Sequence, residues 1–125
     1  MASAINWFEI PVNDLARAKK FYASIIGSEF HEMEMDSIKM AFFPVDQSDP
    51  TNIGGALVSG EGFSPSPNGT LVYLNGGDDL NGILSRVEPA GGAVVVPKTH
   101  ISDDIGYFAI FSDSEGNRVA LHSRG

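Results

Sequence analysis

Few side chains in this chain can do chemistry. Glu9 sits inside an aromatic and β-branched run, Ile5 to Val12, two residues after Trp7. His122 ends a similar run, two residues after Ala120, and Tyr73 and Asn75 share a third. Two residues is one strand period, so side chains spaced this way point to the same face. A carboxylate, an imidazole, a phenol and an amide on one face could form an acid–base pair, Glu9 with His122. They could equally anchor a cationic or hydroxylated ligand, or Glu9 could be structural, bonded to Tyr73 or His122. Trp7, Leu71, Val58 and Ala120 fall on the same parity and supply an apolar wall, the usual lining of a small-molecule site. There is no cysteine, which removes thiolate nucleophiles and Cys-ligated metals. His31 and His100 stand in polar surroundings at no metal-motif spacing, and the expected metal-ligand set is empty.

The elements that must position these residues follow from the hydrophobic pattern. Residues 5–12 predict a strand. Asn13 or Asp14 can cap a helix in which Leu15, Ala18, Phe21, Tyr22, Ile25 and Ile26 form one stripe. Gly27 is placed to stop it. Strands are expected at 28–35, 38–45 and 53–59. The Gly/Pro/Ser-rich stretch 59–68 is a linker, expected to frame the pocket mouth together with the 98–106 loop, with Phe63 as a lid. The series then restarts: a strand at 69–75, a cap at Asp78 or Asp79, and a helix carrying Leu80, Ile83, Leu84 and Val87 that ends near Pro89. Strands at 93–97, 105–112 and 117–123 complete it, with Asp113 to Asn117 as the turn between the last two.

The order is therefore βαβββ twice. Ala56-Leu57-Val58-Ser59 matches Ala120-Leu121-His122-Ser123 at an offset of 64 residues, and Gly27 matches Gly91 at the same offset. Two copies of one supersecondary unit imply a pseudo-two-fold axis. Phe8, Ile10, Val12, Val72, Leu74, Val119 and Leu121 should face the helices, leaving the face with Glu9, Tyr73 and His122 to form a concave pocket.

The chain has 125 residues, 42% hydrophobic and 19% charged, which fits one globular domain. It should comprise module 1 at about 4–60, a linker at about 60–68 and module 2 at about 69–124. Sixteen acids against eight bases give a charge of −8. That argues against nucleic acid and anionic membrane as partners, and no apolar run approaches the ~20 residues of a membrane span. Met1 to Asn6 carry no basic segment and no apolar run, so a cytoplasmic location is expected.

Two stretches carry a family resemblance: Phe8-Glu-Ile-Pro-Val-Asn-Asp-Leu15 leading to Ala18, Phe21-Tyr22 and Gly27, and Phe111-Ser-Asp-Ser-Glu-Gly-Asn-Arg-Val-Ala-Leu-His122. In these the chain resembles the vicinal oxygen chelate superfamily: glyoxalase I, extradiol dioxygenases, fosfomycin resistance enzymes and bleomycin resistance proteins. The resemblance implies an α+β fold, with two βαβββ modules forming a curved mixed sheet around a pocket, and a homodimer. It places the ligand positions of the metal-dependent members at Trp7, near Ala56, at Leu71 and at Ala120, none of which is a metal-ligating residue. The expected function is then small-molecule binding without a cofactor, in a pocket centred on Glu9, Tyr73 and His122. The alternative is a lyase or isomerase that uses Glu9 and His122 as an acid–base pair or as part of a shifted metal site.

Overall fold

The structure, a computed structural model, describes residues 3–125. Its first module runs β1 (Trp7–Pro11), α1 (Leu15–Ile26), β2 (His31–Met35), β3 (Ile38–Phe42) and β4 (Gly54–Ser59). The second runs β5 (Tyr73–Asn75), α2 (Asn81–Leu84), α3 (Val87–Ala90), β6 (Ala93–Ser102), β7 (Gly106–Ser112) and β8 (Arg118–Ser123). The strands form two four-stranded mixed sheets, ordered β1-β4-β3-β2 and β5-β8-β7-β6. In each, the first strand pairs parallel with the last, and the other pairings are antiparallel. The expected α+β fold of two βαβββ modules is what the chain adopts.

The repeat survives at the level of single residue pairs. Glu9 lies opposite Ala56 in β1–β4, and the 64-residue offset maps this pair onto Tyr73 opposite Ala120 in β5–β8. Pro11 opposite Val58 maps likewise onto Asn75 opposite His122. Strand parity therefore held: Phe8, Ile10, Val12, Val72, Leu74, Val119 and Leu121 pack into the main core with Leu15, Ala18, Phe21, Tyr22 and Ile25 of α1.

Three elements differ from the expectation. The second helix is broken into α2 and α3. In one continuous helix Pro89 would lie in the interior and clash with the preceding turn; in α3 it lies in the first turn, where a missing N–H costs nothing. The strand expected at 69–75 shortens to Tyr73–Asn75, which pairs with β8 alone. Conversely β6 runs on through Pro97 to Ser102 as an edge strand with register shifts, the setting in which a strand tolerates proline.

Helix α1 begins at the expected cap, with Asp14 accepting a hydrogen bond from Arg17 N at 3.1 Å, and ends at Gly27 with φ of 81°. Its first turn holds no acidic residue. That role is filled from the other module by Glu115. One carboxylate oxygen accepts from Asn13 N and Asp14 N at 3.1 and 2.9 Å. The two oxygens also take Arg17 Nη2 at 2.9 Å and Nε at 2.7 Å in a fork, the strongest geometry for such a pair. Below it, buried Asp113 accepts from Tyr22 Oη at 2.7 Å and from Asn117 Nδ2 at 3.1 Å. Asn117 Nδ2 also donates to Pro11 O at 2.8 Å. The 113–117 segment is thus a clamp between the modules as well as a turn. Burial pushes the Tyr22 phenol well above its usual pKa, and neighbouring Asp113 adds to the shift.

Burial alone would raise the Glu115 pKa, but Arg17, the backbone amides and Ser114 outweigh it and hold the group at about 2, against an ordinary 4.5. A carboxyl with a lowered folded pKa stabilises fully above its unfolded value and loses that contribution as pH falls through the folded one. We predict that Glu115→Gln costs about 3 kcal/mol at neutral pH. The gap to wild type should narrow below about pH 4.5 and close near pH 2. Denaturant titrations at a series of pH values measure this, and a gap independent of pH would contradict it.

Candidate functional site

Strands β1 and β5 are the innermost edges of their sheets, and no ladder joins them. Between them runs a groove of about 1080 Å³. Trp7, Glu9 and Pro11 line one wall; Leu71, Tyr73 and Asn75 line the other, with Arg118 beside them. Apolar side chains of both modules, including Ile5, Ile53, Ile26 and Ile83, fill out the lining. The two-fold repeat explains the arrangement, since Trp7 and Glu9 have Leu71 and Tyr73 as their mates.

Two of the groove's aromatic side chains remain open to solvent. Trp7 is 44% and Tyr73 52% exposed. The Trp7 ring packs edge-on against Phe42, with centroids 5.9 Å apart, and lies over Gly54, where an added Cβ would meet its Cζ3 at 2.9 Å. Its Nε1 donates to Glu9 Oε2 at 3.2 Å. That bond leaves the second oxygen of Glu9 available to a ligand.

His122 lies elsewhere. It lines a smaller cavity of about 570 Å³ with Ile101, Ile105 and Arg124, and this cavity shares Tyr73, Leu74 and Asn75 with the groove. His122 Nε2 stands 2.6 Å from Ile105 O. A carbonyl oxygen can only accept, so Nε2 carries the proton and Nδ1 holds the lone pair when the ring is neutral. Glu9 and His122 therefore face different cavities, and no hydrogen bond joins them among the described residues. Asn75 Oδ1 accepts from Gly77 N at 2.9 Å, which ties it to the turn that follows β5.

Val58 and Ala120 are fully buried and line neither cavity. The reason at Val58 is the linker. Phe63 packs on Val58, Met40 and Ala56, and Ser66 N donates to Asn117 Oδ1 at 3.0 Å. Phe63 thus seals one part of the face, while Ser64 and Ser66 reach the groove. Arg118 also lines the groove; its parity puts it on the face of Ala120 and His122, but it was not counted among the site residues. Lys98 is held by Asp79 at 2.9 Å and lies over the Tyr107 ring.

Two repeated βαβββ modules with a ligand-sized groove between them define a class of paired-module proteins. Comparison with known proteins agrees: the chain belongs to the Glyoxalase/Bleomycin resistance protein/Dioxygenase superfamily, whose profile matches residues 4–121. It is 27% identical to a glyoxylase-like domain-containing protein of Didymella fabae, over 96% of this chain and 93% of that one. It is 28% identical to a putative glyoxylase of Mycobacterium bovis over 93% of this chain, and spans only 44% of that relative's length. Among solved structures, a glyoxalase/bleomycin resistance protein from Albidiferax ferrireducens superposes with a TM-score of 0.72 at 17% identity, covering 98% of this chain and 100% of that one.

At the positions that the resemblance assigns to the ligands of metal-dependent members stand Trp7, the Gly and apolar residues near Ala56, Leu71 and Ala120, and none offers the side-chain oxygen or imidazole nitrogen that such a centre uses. Among the described residues, no three His, Asp or Glu side chains gather as a metal site would need. The residues present do not fit that centre.

Gly54 makes the placement of Trp7 testable. Gly54→Ala should push the indole out of its seat and shift the emission of this single tryptophan, while changing stability by less than about 1 kcal/mol, because the ring is the free end of a part-exposed side chain. Unchanged emission with a folded variant would show that the indole does not rest on Gly54.

Proposed function

We propose that this chain is a small-molecule binding protein whose ligand lodges in the groove between β1 and β5. The observation that carries this is the pairing of a cavity of about 1080 Å³ with two part-exposed aromatic side chains on its opposite walls, Trp7 and Tyr73. Large aromatic groups left open on a mostly apolar concavity favour a flat, apolar ligand body. Glu9, braced by the Trp7 indole, supplies the polar contact that orients it. Membership of a superfamily that includes bleomycin resistance proteins supports binding as a function in itself. An acid–base reaction shared by Glu9 and His122 has less behind it, since the two side chains line different, adjoining cavities and no hydrogen bond joins them among the described residues.

The test is calorimetric titration with small neutral aromatics, indole and benzyl alcohol, against wild type, Trp7→Ala and Tyr73→Ala. Each substitution should weaken binding about three- to tenfold, the scale of one aromatic contact, and leave the unfolding midpoint nearly unchanged because both side chains are half-exposed. Failure of every probe to bind wild type, or binding indifferent to both substitutions, would overturn the proposal.

A further inference from the structure

The protein carries 16 acidic and eight basic residues, yet the groove does not share that imbalance. Its lining contains two charged side chains, Glu9 and Arg118. They are opposite in sign. Among the described residues neither joins an ion pair, whereas Arg17, Lys19 and Lys98 are all paired with carboxylates. The surplus negative charge is therefore kept out of the groove, and the net charge of −8 says little about what the groove binds.

The backbone fixes where the two charges stand. Asn117 Nδ2 donates to Pro11 O at 2.8 Å, which pins the start of β8 beside the end of β1. Arg118 is the next residue. Glu9 lies two residues before Pro11, a distance of about 6.6 Å along a strand. The acid and the base thus reach the groove from different strands, Glu9 from β1 on one wall and Arg118 from the start of β8 on the other. Trp7 lies beyond Glu9, at the end of β1 away from Arg118.

We infer that the groove selects a dipolar ligand: an aromatic body with a cationic or N–H donor group read by Glu9 and a carboxylate read by Arg118. This deepens the binding role proposed above and rests on it. A guanidinium suits the anionic end because its fork matches a carboxylate in two parallel hydrogen bonds. A merely cationic ligand would satisfy Glu9 and leave Arg118 facing its positive charge. A merely anionic one would have the reverse fault.

Four compounds of one size separate the possibilities: 4-(aminomethyl)benzoate, which carries both charges across a ring, benzylamine, benzoate and neutral benzyl alcohol. Binding to wild type is read from quenching of the single tryptophan, Trp7, and checked by calorimetry. The zwitterion should bind about three- to tenfold more tightly than either singly charged probe, the scale expected of exposed charge pairs, and added salt should erode that margin. Arg118→Gln should reduce the zwitterion to the level of benzylamine, and Glu9→Gln to the level of benzoate, with thermal unfolding confirming that both variants fold. If all four probes bind alike, or Arg118→Gln leaves the ranking intact, the dipolar inference fails while the binding role stands. If none binds, the binding role itself fails and the inference goes with it.

Discussion

The entry to a helix leaves backbone N–H groups without partners, and at α1 a carboxylate from the other module takes two of them. Glu115 serves Asn13 N and Asp14 N and grips Arg17 at the same time. This is a capping arrangement delivered from about a hundred residues away. Because β1 and β5 share no ladder, sheet hydrogen bonds do not hold the modules together. The clamp at residues 113–117 and the apolar core shared by α1 and both sheets do so instead. With the two edges held but not zipped together, a groove results; a continuous eight-stranded sheet would have closed it.

That constraint also sets the chemistry of the groove. Asn117 faces three ways, to Asp113, to Pro11 and to Ser66. It thereby fixes the start of β8, the end of β1 and the path of the linker. Arg118 follows directly, so its position on the groove wall is inherited from the clamp. The linker in turn lays Phe63 over Met40, Ala56 and Val58, which closes one part of the sheet face and confines open space to the seam between modules. Stability and the candidate site share the same few residues, but divide them by side chain. Asp113 and Glu115 bond to residues of α1 and its entry, while Asn117 and Arg118 line the groove.

Much of this was legible in the residues themselves. Period-two alternation told which side of β1, β5 and β8 meets the helices, and the 64-residue repeat read from the sequence maps the observed pair Glu9 and Ala56 onto the observed pair Tyr73 and Ala120. The caps at Asp14 and Gly27 could be read because capping is local. What escaped was whatever depends on contacts distant in sequence. Parity names the face of a strand but not what covers it, so Val58 and Ala120 counted as wall although both are fully buried. It also cannot separate two cavities on one face, which is why Glu9 and His122 were grouped. The role of Glu115 carries no local signal, since its partners lie in another module.

The central claim is that function resides in the unzipped seam between β1 and β5. The most direct measurement is amide hydrogen exchange, resolved by segment, with and without saturating 4-(aminomethyl)benzoate. The account predicts that residues 5–11 and 69–75 exchange faster than β3 and β7 in the free protein, and that the compound slows exchange in those two segments together. Protection confined to the cavity around His122, or an unliganded seam already as protected as the sheet interiors, would contradict it.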